Sequence, residues 1–271
     1  MTSTTRPGSE RAPDGTAFEL HGDPDAPLVV LIHGLGLSRR LWDAHVAAFA
    51  ASHRVIAYDL YGHGESAPPP EEASLSVYSR QILGLLDHLG AGRAALVGFS
   101  IGGMINRRFA LDHPDRLSAL AILNSPHERG AEAQEAVEAR AKSVRDGGSL
   151  ATLDAALARW FTPAFREARP DVMATVRAWR EAADEESYAQ CAWVLAHGVR
   201  ELIAPDPPVA APTLVMTAEN DTGSTPAMSH AIAAEIAGAE TIIVPGLQHL
   251  GLIEDPGAFV GPVLDFLERR G

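Results

Sequence analysis

Apolar runs without polar alternation recur along the chain, and each ends in glycine, proline or polar residues. Such short runs, rich in β-branched residues, are typical of strands buried on both faces of a parallel sheet. Segments with a helical period separate them. The sequence therefore predicts an α/β fold, a mostly parallel central sheet with helices on both faces. The predicted strands are residues 28–32, 55–58, 94–97, 117–123, 213–217 and 241–244, and the predicted core helices include 40–50, 75–89 and a helix ending near residue 112.

The alternation of strands and helices stops between the fourth and fifth predicted strands. Residues 132–197 contain several helical stretches and no convincing strand. A helical insertion at this place predicts a cap over a pocket, at residues 127–205. Segments 16–126 and 206–271 then form the α/β core. The polar residues 1–15 are expected to be a disordered tail.

Composition limits the classes of partner. The chain has 271 residues, which suits one large α/β domain with an insertion, and a net charge of −13. That charge argues against nucleic acid or an anionic membrane surface as a partner. The single cysteine, Cys191, allows no internal disulfide, and no apolar run approaches the length of a membrane span. With no signal-like segment at the N-terminus, we expect a cytoplasmic protein. Its oligomeric state is left open.

The strongest candidate for chemistry is the turn Gly98-Phe99-Ser100-Ile101-Gly102, which follows a predicted buried strand and opens a helix. This arrangement exposes a serine hydroxyl at the apex of a sharp turn, where glycines permit close packing of strand and helix. An ordinary strand-to-helix turn is the simpler alternative. The position nevertheless predicts that Ser100 is a nucleophile.

A serine nucleophile needs a base, and the base needs an acid that orients it. Loops that follow parallel strands meet at one edge of the sheet, and two of these loops carry Asp221 and His249. The sequence therefore predicts a Ser100–His249–Asp221 triad, with Glu219 as the competing acid. Ile101 and Leu35 are expected to supply the two backbone N–H donors of an oxyanion hole.

Other chemistry finds less support in the sequence. The segment Gly34-Leu35-Gly36 matches neither a Walker loop nor a dinucleotide-binding fingerprint. No His, Cys or Asp cluster has metal-ligand spacing, so we expect neither a metal nor another cofactor. Asp59 and His63 are expected to shape a turn beside the site.

Taken together, these motifs resemble the α/β-hydrolase superfamily. The segments that carry this resemblance are 33–36, 59–66, 98–103 and the loops of Asp221 and His249. Within the superfamily, the predicted cap is similar to that of 3-oxoadipate enol-lactonases at residues 158–166 and 184–192. The resemblance implies cofactor-free hydrolysis of a small carboxylic ester or lactone. It also implies a substrate pocket that includes Trp160, with Arg159 and Arg166 as candidate contacts of a substrate carboxylate.

The superfamily resemblance leaves three alternatives open. The same triad serves enzymes that hydrolyse a C–C bond in vinylogous diketones, and others that act as perhydrolases or cofactor-free haloperoxidases. A non-catalytic ligand receptor on the same fold is the third, and an intact triad argues against it.

Overall fold

The computed structural model describes residues 8–270. A single eight-stranded sheet runs through this part of the chain, in the spatial order β1-β2-β4-β3-β5-β6-β7-β8. The strands are β1 Ser9–Arg11, β2 Ala17–His21, β3 Leu28–Ile32, β4 Arg54–Tyr58, β5 Ala94–Phe99, β6 Leu117–Leu123, β7 Thr213–Ala218 and β8 Glu240–Val244. Strands β3 to β8 pair in parallel, whereas β1 and β2 form an antiparallel edge against β4. The predicted α/β fold is confirmed.

Helices cover both faces of the sheet. They are α1 Val46–Ala50, α2 Leu75–His88, α3 Ile101–Asp112, α4 Ala131–Gly147, α5 Leu153–Trp160, α6 Pro163–Ala168, α7 Pro170–Glu181, α8 Glu185–His197, α9 Pro226–Ala234, α10 Gly251–Glu254 and α11 Pro256–Glu268. None of these helices is long and apolar enough to span a membrane.

Alternate residues of the central strands enter two separate cores. Val30 and Ile32 of β3 pack in a cluster with side chains of α2 and α3. Val29 and Leu31 face the opposite side and pack in a cluster with side chains of α1 and α11. Burial of apolar side chains stabilises the fold by about 25 cal/mol for each Å² of apolar surface removed from water. Because both faces of the sheet bury such side chains, these apolar runs are the main stabilising feature of the sheet.

The N-terminal segment corrects one expectation. Residues 1–7 of the predicted disordered tail lie outside the described residues, but Ser9–Arg11 forms strand β1 and pairs with Ala17–His21. Polar side chains hold it in place, since the Ser9 hydroxyl donates to Glu65 and accepts from the Arg39 guanidinium. Tertiary contacts thus order a segment whose composition alone is typical of a tail.

The predicted helix at residues 40–50 is divided in the structure. Arg39–Trp42 forms a turn of 3₁₀ helix, and the α-helix begins only at Val46. The backbone N–H of Arg39 donates to the buried carboxylate of Asp59 at 2.7 Å, and the Arg39 guanidinium pairs with the same carboxylate. This contact fixes the first turn against the loop after β4.

The segment between β6 and β7 contains helices and no strand in the structure, with α4 to α8 and 3₁₀ turns at Ser149–Thr152 and Gly198–Leu202. We call residues 127–205 the helical insertion. The insertion is joined to the loop after β8 by the Leu250 N–H, which donates to the Trp160 carbonyl at 2.8 Å. Thr162 donates to Glu254 through both its N–H and its hydroxyl, at 2.8 and 2.7 Å. These bonds hold the insertion over the carboxyl edge of the sheet.

Candidate active site

Ser100 lies at a strained turn between β5 and α3. Its backbone has φ 57° and ψ −117°, a region that residues with a side chain rarely occupy and that costs about 1–3 kcal/mol. The turn needs small neighbours, because a Cβ on Gly98 would lie 2.2 Å from the Gly102 carbonyl oxygen. A Cβ on Gly102 would lie 2.6 Å from the carbonyl oxygen of Ile32. Close packing of strand and helix therefore requires both glycines.

The structure brings Ser100, His249 and Asp221 into one hydrogen-bonded chain. Nε2 of His249 lies 3.2 Å from the Ser100 hydroxyl, and Nδ1 lies 2.6 Å from Oδ2 of Asp221. An ionised Asp221 accepts a hydrogen bond from the Nδ1–H of His249, which leaves Nε2 as the acceptor for the serine proton. The Phe99 ring lies 5.0 Å from the imidazole between centroids and restricts its movement. This geometry can activate a serine hydroxyl.

Asp221 is buried and held ionised by its hydrogen bonds. Its Oδ1 accepts from the N–H groups of Gly223 and Ser224 at 2.9 Å each. Its Oδ2 accepts from Asn124 Nδ2 at 2.9 Å as well as from His249. Burial opposes the charge, but His249 and these donors outweigh it and hold the pKa of Asp221 below its ordinary value.

Asn124 is a residue that sequence reasoning missed. It is the first residue after β6, fully buried, and its backbone has φ 48°. Its place at the carboxyl end of a parallel strand, at the edge that carries Ser100, is the signal that could have identified it. The competing acid Glu219 has a different partner, because its carboxylate accepts from the Gly246 N–H at 2.9 Å.

The two expected oxyanion donors lie on either side of Ser100. Ile101 is the first residue of α3, so its N–H has no acceptor within the helix. The loop that carries Leu35 packs against the serine, since a Cβ on Gly34 would lie 3.3 Å from the Ser100 Cβ. This loop is braced by His33, which donates from Nδ1 to the Gly34 carbonyl at 2.8 Å and accepts at Nε2 from the Leu60 N–H at 2.9 Å.

Asp59 and His63 do not contribute a second acid–base pair. Asp59 accepts from the Glu65 N–H at 2.9 Å and pairs with Arg39. His63 lies 3.0 Å through Nδ1 from the Tyr61 carbonyl, and burial lowers its pKa to about 4. Both residues fix the turn after β4, as expected from the sequence.

A cavity opens above Ser100 between the sheet edge and the helical insertion, and both Leu35 and His249 line it. Trp160 lines the cavity and lies 6.1 Å from the His249 ring between centroids. Arg159 also lines it. Arg166 does not: it lies on α6, outside the residues that form the cavity wall. Of the two arginines expected to contact a substrate carboxylate, the structure thus places Arg159 at the cavity and Arg166 outside its wall.

Three further arginines of the insertion line the cavity and were missed by sequence reasoning. They are Arg129, Arg140 and Arg180. Arg180 is only 2% exposed, and its guanidinium carbon lies 4.9 Å from the Tyr188 ring centroid and 6.0 Å from that of Trp160. Burial lowers the pKa of all four cavity arginines, and that of Arg129 to about 10. Guanidinium groups nevertheless stay protonated in proteins at neutral pH.

Comparison with known proteins agrees with the fold. The model of the alpha/beta hydrolase family matches residues 29–261. The chain is 30% identical over 253 residues to 3-oxoadipate enol-lactonase 2 of Acinetobacter baylyi, covering 93% of this chain and 92% of that protein.

Solved structures give the same result. An enol-lactonase from Burkholderia xenovorans LB400 superposes with a TM-score of 0.86 at 32% identity, covering 96% of this chain and 99% of that one. A thermophilic esterase from Thermogutta terrifontis has a TM-score of 0.83 at 28% identity, with 99% and 97% coverage. The chain is a hydrolase and belongs to the alpha/beta hydrolase family.

Proposed function

We propose that this protein hydrolyses a small carboxylic ester or lactone through a Ser100–His249–Asp221 triad. The observation that carries the proposal is the position of His249, which lies 3.2 Å from the serine hydroxyl and 2.6 Å from a buried carboxylate. The cavity above the serine is the place for a small-molecule substrate.

In the proposed mechanism, His249 Nε2 takes the serine proton as Oγ attacks the substrate carbonyl. Asp221 stabilises the resulting imidazolium, and the N–H groups of Ile101 and Leu35 stabilise the oxyanion. Collapse of the intermediate breaks the acyl–oxygen bond, and the imidazolium protonates the leaving alkoxide. A water molecule, deprotonated by His249, then attacks the acyl-enzyme and releases the carboxylic acid.

Two observations support an ester or lactone as substrate. Relatives that match nearly the whole chain are named as enol-lactonases and an esterase. Trp160 lines the cavity next to the triad, and its ring offers an apolar surface against which a small acyl group can pack. In a lactone the protonated leaving group stays covalently attached to the acyl group, and water, by cleaving the ester to Ser100, releases both as one ring-opened acid.

The test is hydrolysis of short-chain p-nitrophenyl esters and of an enol-lactone by wild type and Ser100→Ala. The variant is expected to lose at least about a thousandfold in kcat, as for other triad nucleophiles. Ser229→Ala, a buried serine on α9 outside the cavity wall, is the matched control and is expected to retain activity.

Two outcomes would reject the proposal. The first is Ser100→Ala with the turnover of the wild type. The second is a wild type that cleaves neither substrate but releases the acid products of a vinylogous diketone, which would identify C–C bond hydrolysis by the same residues.

A further inference from the structure

Four arginines of the helical insertion converge on the cavity above Ser100. They come from four places in the chain: Arg129 precedes α4, Arg140 lies on α4, Arg159 on α5 and Arg180 on α7. The chain as a whole has a net charge of −13. A concentration of positive charge within an acidic protein attracts anions to that one concave site.

None of the four guanidinium groups has an acidic partner within ion-pair distance among residues 8–270. Their hydrogen-bond acceptors are neutral: Arg129 donates to the Leu195 carbonyl at 3.3 Å, and Arg159 donates to the Ala155 carbonyl at 3.1 Å. Arg180 donates to the Thr152 hydroxyl at 2.6 Å. The acidic residue of the cavity wall, Asp221, already accepts four hydrogen bonds of its own.

Several guanidinium nitrogens are buried and lack any hydrogen-bond partner within the described chain. They are Nε and Nη1 of Arg180 and Nη1 of Arg129. Leaving a buried charged donor unsatisfied is costly, and such donors are ordinarily paired. Two donors on an arginine that is 98% buried therefore indicate that a ligand completes this site.

The four arginines form one row of neighbouring charges along the cavity, in the order Arg129, Arg140, Arg159 and Arg180. One end of the row is the pair Arg159 and Arg180, and Arg159 also lies in the electrostatic field of Asp221, which places this end beside the triad. The other end is the pair Arg129 and Arg140, on the α4 side of the cavity. Like charges held this close repel one another, and a bound anion relieves that repulsion at each pair.

We propose that the substrate of this site carries two carboxylates, one bound by Arg159 and Arg180 and the other by Arg129 and Arg140. A single carboxylate fills its hydrogen-bonding capacity with one or two guanidinium groups. A substrate with only one carboxylate would therefore leave the other two arginines without a counter-charge. This inference rests on the proposed function for the reaction, but the binding of dianions follows from the arginines alone.

The experiment uses methyl esters that differ in charge and share a short acyl chain: methyl butyrate, monomethyl succinate and monomethyl tricarballylate. At pH 7.5 they carry no, one and two free carboxylates, and hydrolysis is followed by pH-stat. We expect kcat/KM to rise about 10- to 100-fold with each added carboxylate, the range for one charge-assisted contact. High salt is expected to reduce this preference.

Variants at each pair locate the two subsites. Arg129→Gln and Arg159→Gln are each expected to raise KM for the dianionic ester about 10- to 100-fold, and this loss is expected to exceed the loss of kcat/KM for methyl butyrate. Arg180→Lys keeps the charge and fills the buried position, and it is expected to lose less than Arg180→Gln. Arg177→Gln is the matched control, because Arg177 lies on the same helix but pairs with Asp154 outside the cavity.

Calorimetric binding separates this proposal from the proposed reaction. Wild type and Ser100→Ala are titrated with succinate, a dianion, and with butyrate, a monoanion. Tighter binding of succinate, lost in Arg129→Gln, supports the dianion site even if no ester is cleaved. Equal binding of both anions, or equal kcat/KM for the neutral and dianionic esters in an active enzyme, would overturn it.

Discussion

Replacing Asn124 tests whether the residue after β6 positions the acid of the triad. Its amide nitrogen donates at 2.9 Å to Oδ2 of Asp221, the same oxygen that contacts His249 at 2.6 Å. We choose Asn124→Gly, because glycine adopts φ 48° without strain and the change then removes only the side chain.

The magnitude follows from the bond that is lost. A hydrogen bond to a charged group contributes about 1.5–3 kcal/mol, and Asp221 is only 2% exposed. His249 and two backbone N–H groups continue to hold the carboxylate, so we expect the activation free energy of the reaction to rise by only about 1.5–2 kcal/mol. The expected result is a decrease in kcat of about 10- to 30-fold.

The pH dependence has a definite sign. Asn124 is among the groups that hold the pKa of Asp221 below its ordinary value, so its removal raises that pKa. The carboxylate then begins to protonate at a higher pH, and the loss of kcat is expected to be larger at pH 5 than at pH 8.

The assay is steady-state hydrolysis of the best ester across this pH range. Glu219→Gln is the matched control: its carboxylate contacts Gly246 rather than His249, and its activity is expected to equal that of wild type. Asn124→Gly with unchanged kcat at both pH values would refute the positioning role, and a large loss in Glu219→Gln would refute the assignment of the acid.

Three further predictions concern the fold. Gly98→Ala places a Cβ 2.2 Å from a backbone oxygen, so urea unfolding should show a loss of at least about 3 kcal/mol, whereas Gly92→Ala has open space and should show little change. Burial lowers the pKa of His45 to about 4, below the value of about 6.5 in the unfolded chain, so the folded protein is most stable above pH 6.5 and loses stability as the pH falls towards 4. This group should lower the free energy of unfolding by about 2 kcal/mol between pH 7 and pH 5. His45→Leu should reduce that pH dependence. Arg39→Met leaves the fully buried Asp59 without its guanidinium partner and should cost about 3–5 kcal/mol, measured by thermal and urea unfolding.

The parts of the site that follow strands could be predicted from the sequence. Ser100, Asp221 and His249 each lie in a loop after a parallel strand, and parallel topology brings such loops to one edge. Apolar runs identify these strands because they are buried on both faces. Asp221 was preferred to Glu219 from the sequence although both residues follow β7 only two positions apart, and the contacts of the two carboxylates in the structure distinguish them.

The helical insertion was much less predictable. Helical periods located most of its helices, but the way the helices cross one another depends on side-chain packing far apart in sequence. Arg129, Arg140 and Arg180 face one cavity only because α7 packs beside α4 and the loop before it, and no local pattern indicates this. The same reason explains Arg166, which lies in the stretch that resembles enol-lactonases but outside the cavity wall.

The most direct test of the account is covalent labelling of the nucleophile with diisopropyl fluorophosphate, followed by intact and peptide mass spectrometry. The account predicts one diisopropylphosphoryl group per chain, located on Ser100, with a parallel loss of esterase activity. Ser100→Ala should remain unlabelled, and His249→Gln should react far more slowly. Labelling of another residue, or a Ser100→Ala variant that is labelled at the rate of the wild type, would contradict the claim that Ser100 is the activated nucleophile.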